Sequence, residues 1–203
     1  LLNEEKINFL LDHNVSICVS LDGPAQVHDF NRQFKNGQGS YARVISAIRR
    51  IKKAYERRGW KNKNVDLLLT VTRQGLKFPR QIIDEYVKLG ALQIALRPVN
   101  KIGVARKFWD KIGYSAEQFN RFWEEAMDYI IELNKKGIRI RERMAAVMLK
   151  KIFGKRDPGY VDLMNPCGAG RSVLSYMPNG DVFPCDEARM TGEDMFKIGN
   201  ILK

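Results

Sequence analysis

Two cysteines give the clearest chemical pattern in the 203 residues. Cys167 lies in Asn165-Pro-Cys-Gly-Ala-Gly170 and Cys185 in Gly180-Asp-Val-Phe-Pro-Cys185, a spacing of Cys-x12-Gly-x4-Cys. A reversal at Asn179-Gly180 would return Cys185 towards Cys167, and the surrounding glycines and prolines leave room for an inorganic centre with hydrogen bonds to its sulfurs. Two thiolates complete neither a tetrahedral zinc site nor a four-iron site. Further ligands are therefore expected from beyond Lys203, or the pair are merely buried thiols. Cys18, in the middle of an apolar strand, reads as a small buried hydrophobe. Three cysteines in a chain this long make no disulfide framework and suit an intracellular, cytoplasmic protein with free or metal-bound thiols.

A second group of polar residues falls at the ends of apolar runs: Ser20 and Asp22, then Thr70, Thr72 and Arg73, then Arg97 and Asn100. In parallel α/β assemblies ligands gather at the carboxyl ends of strands, where side chains and loops converge. A hydroxyl, a carboxylate and a guanidinium on one rim suit a small zwitterionic or nucleoside ligand. The plainer reading is that polar residues end any strand. His28 is one of two histidines and has no second histidine at metal-ligand spacing, so a hydrogen-bonded loop histidine is expected rather than a ligand or base.

The elements that position these groups follow from hydrophobic periodicity. Residues 3–13 read as a helix, 15–21 as a strand closed by Asp22-Gly23-Pro24, and the stretch up to Ser40 as a polar loop. Ser40 can cap a helix over 41–58, which Gly59 ends. Residues 64–72 form a nearly continuous apolar strand, 78–89 an amphipathic helix, and 92–99 a third strand broken by Pro98. Alternating strands and helices imply right-handed crossovers and a parallel sheet, fewer units than a closed barrel needs and fitting part of one. Beyond Asn100 the texture changes. A long helix begins at a Ser115–Gln118 capping box and runs to Lys136. A further helix covers 139–153, and a hairpin joins 173–177 to 181–183.

Composition bounds the rest. The chain is 44% hydrophobic and 29% charged with a net charge of +12, typical of globular proteins. It has no apolar run of membrane-spanning length, and its first residues, Leu-Leu-Asn-Glu-Glu-Lys, lack the basic start and apolar run of a secretory signal. Its opening on Leu1 suggests a piece of something longer. The basic residues Arg49, Arg50, Lys52, Lys53, Arg57 and Arg58 lie opposite Val44, Ile48, Ile51 and Tyr55 at helical spacing. They read as the outer side of an amphipathic helix without the interleaved aromatics of a nucleic-acid surface, so nucleic acid is not the expected partner.

The strings Val19-Ser-Leu-Asp-Gly-Pro24, His28-Asp29, Asn31-Arg32 and Gly37-Gln-Gly-Ser-Tyr41 resemble the fourth-strand region of radical S-adenosylmethionine enzymes that modify peptides and proteins, including anaerobic sulfatase maturases. Cys167-x12-Gly180-x4-Cys185 resembles the opening of that group's SPASM extension. Ile112-Gly-Tyr-Ser-Ala-Glu117, Asp157-Pro-Gly-Tyr-Val-Asp-Leu163 and Asp186-Glu-Ala-Arg-Met190 are similar to maturases of His-Xaa-Ser repeat systems. The resemblance implies an α/β fold: the C-terminal portion of a partial parallel (β/α) barrel over 1–105, a helical linker over 106–160, and a truncated SPASM-type hairpin over 161–203. It implies S-adenosylmethionine and [4Fe-4S] clusters as cofactors, a peptide or protein substrate that the +12 charge would favour if acidic, and a reductant such as flavodoxin or ferredoxin. Ser20, Asp22, Thr70, Thr72, Leu96 and Arg97 would line the S-adenosylmethionine pocket, and Cys167 and Cys185 would ligate an auxiliary cluster. Asp186 would take a proton from the substrate radical, its pKa raised beside an anionic cluster. The family's Cys-x3-Cys-x2-Cys loop is absent, since Cys18 is the sole cysteine before Cys167. That loop is expected before Leu1, the remaining extension cysteines after Lys203, and the 203 residues alone are expected to be inactive. The rival expectation is a basic nucleic-acid- or partner-binding module with structural zinc at Cys167 and Cys185.

Overall fold

The computed structural model describes residues 2–60, 63–155, 157–160 and 163–202. Val161 and Asp162 of the Asp157–Leu163 string lie outside the described residues. The chain divides into two compact units, one of residues 1–99 with 114–144 and one of 100–113 with 145–203.

The first unit is built on three parallel strands in the order β1 (Cys18–Ser20), β2 (Asp66–Val71) and β4 (Leu96–Pro98). Register places Ser20 beside Leu68 and Thr70 beside Arg97. Crossovers are helical, as a parallel sheet requires. Here α1 (Glu4–Asp12) precedes β1, α3 (Tyr41–Arg57) joins β1 to β2, and α4 (Pro79–Lys88) follows β2. The third expected strand is two: β3 (Gln93–Ile94) leaves the sheet to pair with β5 (Arg141–Glu142), and only β4 continues beside β2. Residues 139–142 were expected in a helix. They are drawn into extended structure because Ile140 is buried and the Glu142 carboxylate accepts from the Leu96 N–H at 3.1 Å.

One face of the sheet is core. Leu69, Val71 and Leu96 bury with Ile48 and Ile51 of α3 and Ile82, Ile83 and Tyr86 of α4. Helix α7 (Ala116–Lys135), expected in a linker, packs with this unit, because Phe122, Ala126, Ile130 and Leu133 form a stripe that must be buried. Its Ser115–Gln118 capping box forms as expected.

Two local expectations fail for identifiable reasons. Residues 25–31 form a helix, α2 (Ala25–Asn31), entered from Pro24, whose fixed φ of −64° suits a helix start. Ser40 does not cap α3; the Asp29 carboxylate accepts the Tyr41 N–H at 2.7 Å instead. Gly39 is dictated by that contact, since a Cβ there would lie 2.2 Å from the Asp29 side chain.

In the second unit α5 (Val104–Lys107) and α6 (Trp109–Ile112) are single turns. Helix α8 (Arg143–Phe153) spans the division between the units. An antiparallel sheet then follows in the order β6 (Ser175–Tyr176), β7 (Asp181–Phe183) and β8 (Gly199–Asn200), with α9 (Asp186–Thr191) between β7 and β8. The expected hairpin is present, with a third strand that sequence reasoning missed.

Candidate functional site

Strand alternation sorts the rim residues by face. Val19, Leu67, Leu69 and Leu96 point to the core. Cys18, Ser20, Leu68, Thr70 and Arg97 share the opposite face. Of the six residues that the resemblance assigned to the pocket, Ser20, Thr70 and Arg97 therefore stand together on an open face. Leu96 is 2% exposed; its side chain belongs to the core, and its register next to Leu69 makes that obligatory. Cys18 is exposed, correcting the expectation of a buried thiol. It lines an open recess of about 550 Å³ with Leu68, Ala95, Arg141 and Arg143. Partial burial and the nearby Asp66 carboxylate push its thiol pKa upward, so it is held as the thiol.

Asp22 and Thr72 face into the protein. The Asp22 carboxylate is 1% exposed and accepts from four groups. Arg32 donates through Nε at 2.8 Å and Nη2 at 3.2 Å, Asn31 through Nδ2 at 3.2 Å, and Thr70 through its backbone N–H at 3.2 Å. Thr72 donates its hydroxyl to Asn31 Oδ1 at 2.8 Å. His28 is fully buried, on a helix rather than in a loop. Its Nδ1 accepts the Asp22 N–H at 3.3 Å, so the neutral ring carries its proton on Nε2 and donates to Ser40 Oγ at 3.0 Å. Desolvation pushes its pKa below the usual value, with the Asp22 and Asp29 carboxylates opposing and the Arg32 guanidinium adding to the shift. The sequence marks only His28, as a loop histidine; Asn31 and Arg32 enter only through the resemblance, and the helix over Ala25–Asn31 that brings His28 and Asn31 together, with Arg32 just past its end, was not expected.

The cysteine hairpin has a different character. Cys167 is exposed in the loop of Met164, Asn165, Arg171 and Ser172, and Cys185 is half-buried, so neither is the buried thiol of the alternative reading. Their loops are joined by the Gly170 N–H, which donates to the Pro184 carbonyl at 2.8 Å. Cys185 begins α9 and its sulfur accepts the Ala188 N–H at 3.4 Å. Among the described residues no group of three or more histidine, cysteine, aspartate or glutamate side chains converges as a metal site. The thiols thus supply at most two ligands, which does not fit a complete zinc or four-iron centre. Asp186 accepts from the Ser175 hydroxyl at 2.5 Å and from Arg189 Nε at 3.2 Å. These partners, the serine first, hold its pKa below the usual carboxylate value, opposite to the rise expected beside a cluster.

The basic face of α3 is partly used internally: Lys52 donates to the Leu89 carbonyl, Arg57 pairs with Glu4, and Arg58 with Asp12. No helix among the described residues is long and apolar enough to cross a membrane.

The fold thus assembled is an α/β fold with solved counterparts. Native anSMEcpe with bound AdoMet matches with a TM-score of 0.78 and 21% identity over 99% of this chain and 51% of that one. Native anSMEcpe with bound AdoMet and Kp18Cys peptide matches at 0.72 and 18%, over 98% of this chain and 51% of that one. In sequence, the chain is 29% identical over 192 residues, 93% of its length, to mycofactocin maturase MftC of Mycolicibacterium smegmatis, and spans 42% of that relative. It therefore covers about half the length of the proteins it resembles. No family model matches.

Proposed function

We propose that these residues form part of a peptide- or protein-modifying radical S-adenosylmethionine enzyme, the parallel strands being the distal part of a partial barrel. The observation that carries the reading is the open face on which Ser20, Thr70 and Arg97 stand together, in a fold shared with a protein that has AdoMet bound. The sequence likeness to a maturase supports a peptide or protein as substrate. The narrower likeness to His-Xaa-Ser maturases rests on sequence strings alone.

The open face fits the ligand chemically. Two hydroxyls and one guanidinium answer a ribose and an amino-acid carboxylate. Ser20 and Thr70 would hold hydroxyl or amide groups of S-adenosylmethionine, and Arg97 its carboxylate. S-adenosylmethionine held there by Ser20, Thr70 and Arg97 would supply the chemistry for removing a hydrogen atom from a peptide. Electrons for that chemistry come from a reductant of the flavodoxin or ferredoxin kind. Asp22 and Thr72 act on the face indirectly, by fixing strand ends, and Leu96 by packing beneath it. Cys167 and Cys185 would contribute two thiolates to an auxiliary centre, no third histidine, cysteine, aspartate or glutamate converging with them among the described residues. Asp186, kept ionised by Ser175 and Arg189, is in the form that accepts a proton. The positive charge of +12 favours an acidic substrate, through an attraction that salt would screen.

The test is anaerobic incubation of the full-length protein, reconstituted with iron and sulfide, with S-adenosylmethionine and dithionite. Formation of 5′-deoxyadenosine by a brown protein, lost in the isolated 203 residues, is the expected result. A colourless protein with stoichiometric zinc would contradict the reading and favour the basic module.

A further inference from the structure

The buried Asp22 and His28, with the half-buried Arg32 and Ser40, form a closed circuit. The Asp22 N–H donates to His28 Nδ1, His28 Nε2–H donates to Ser40 Oγ, and the Ser40 hydroxyl donates to the Arg32 carbonyl at 2.6 Å. The Arg32 guanidinium then returns to the Asp22 carboxylate through two hydrogen bonds. One branch leaves the ring from Asp22 to the Thr70 N–H, and another runs through Asn31 to Thr72. The ring therefore holds the end of β1 to the end of β2 by side-chain bonds, just where the backbone ladder stops. Ser20 lies two residues before Asp22, and Thr70 is bonded to Asp22 directly.

We infer that this ring is a positioning device for the open face, and that His28, Arg32 and Ser40 are positioning residues that set the spacing of Ser20 and Thr70 without touching a ligand. Each member has a reason to be the residue it is. Arginine offers the planar fork that grips both Asp22 oxygens, which lysine cannot reproduce. Neutral histidine accepts on one nitrogen and donates on the other, linking two groups that are both otherwise fixed. Serine accepts from histidine and donates to a carbonyl through a single oxygen, and that double duty is why it leaves the capping of α3 to Asp29. Every link is satisfied, and satisfied networks shielded in part from water specify one arrangement of the groups around them.

The inference rests on the reading above only in naming the ligand, and the experiment separates the two. In the full-length protein, Ser40→Ala removes both links that pass through its hydroxyl while leaving the ion pair, and Ser40→Thr restores the hydroxyl. Residue-resolved hydrogen exchange is measured together with the dissociation constant for S-adenosylmethionine. With Ser40→Ala, exchange at the Asp22 and Thr70 amides should rise about tenfold, with core amides of α3 and α4 unchanged, and binding should weaken about five- to tenfold, part of the loss of its two hydrogen bonds reaching the open face. Ser40→Thr should restore both. A uniform rise in exchange at all amides, or a local rise with unaltered binding in a wild type that does bind, overturns the positioning role. Where the wild type binds no S-adenosylmethionine, the cofactor reading fails. The exchange data then decide the ring alone: a local rise upholds it and no rise refutes it.

Discussion

The sheet face of the first unit and the cysteine hairpin of the second hold their polar groups by different means. Behind the face, Asp22 and His28 are buried, each bonded to groups that are themselves bonded, and the strands lie on a core that includes Ile48, Leu69, Ile82 and Tyr86. In the hairpin unit the strands are two or three residues long. Val182, Phe183 and Ala188 are buried there, while Tyr176, Met195, Ile198, Ile201 and Leu202 are exposed. One region is organised before any ligand arrives. The other has little burial to hold its two cysteines, and a ligand bridging them would contribute to its folding.

That contrast can be broken by substitution. Asp22→Ala strands the Arg32 guanidinium, the Asn31 amide and the Thr70 N–H; it should cost about 3 kcal/mol of unfolding free energy, measured by urea denaturation, as expected for half of a mostly buried pair. Next in size, Gly39→Ala forces a Cβ onto the Asp29 carboxylate that caps α3 and should cost about 1–2 kcal/mol on the same scale. In the hairpin, by contrast, Asp186→Ala removes one exposed hydrogen bond, from Arg189, and one part-buried one, from Ser175, whose hydroxyl still meets Arg189, and should change stability by no more than about 1 kcal/mol. An Asp186→Ala loss as large as that of Asp22→Ala would erase the distinction.

Acid sharpens the comparison. His28 has a folded pKa below its unfolded value of 6.5, so below that pH the unfolded chain takes up a proton that the folded chain refuses. Stability of the first unit should fall as pH drops through 6.5, level off once the folded pKa is passed, and change less in His28→Gln; thermal melting against pH reads this. Asp181 in the hairpin is shifted the other way, to about 2, by hydrogen bonds from Lys197, Asn200 and Asn179. Its contribution is present above the ordinary aspartate range and lost as pH falls towards 2. An NMR titration of its carboxyl carbon should show that low midpoint, and a midpoint at the ordinary value would contradict it.

The sheet was legible because continuous apolar strands and amphipathic helices announce themselves by period. The splitting of residues 92–99 was not, because it depends on Glu142 reaching the Leu96 N–H from 46 positions away. The open face was half legible: alternation marks Ser20 and Thr70 as neighbours, but which face is core depends on α3 and α4. Cys18 was misread for that reason, sitting in an apolar string on the uncovered side. The ring was hidden because residues 22–40 look like polar loop. Its order comes from side chains bonding one another, which leaves no hydrophobic period. The hairpin turn was plain from Asn179-Gly180, whereas β8 is two residues, Gly199 and Asn200, with no hydrophobic alternation to mark it, held to β7 by backbone pairing and by the Asn200 amide donating to Asp181 at 2.8 Å.

Equilibrium binding of S-adenosylmethionine to the full-length reconstituted protein, compared between Arg97→Ala and Cys167→Ala, tests the central claim most directly. Loss of a charge-assisted contact on the open face should weaken binding at least about tenfold in Arg97→Ala, with Cys167→Ala within about twofold of the parent. Unchanged affinity in Arg97→Ala, alone or with a large loss in Cys167→Ala, would contradict the assignment of the sheet face as the cofactor site.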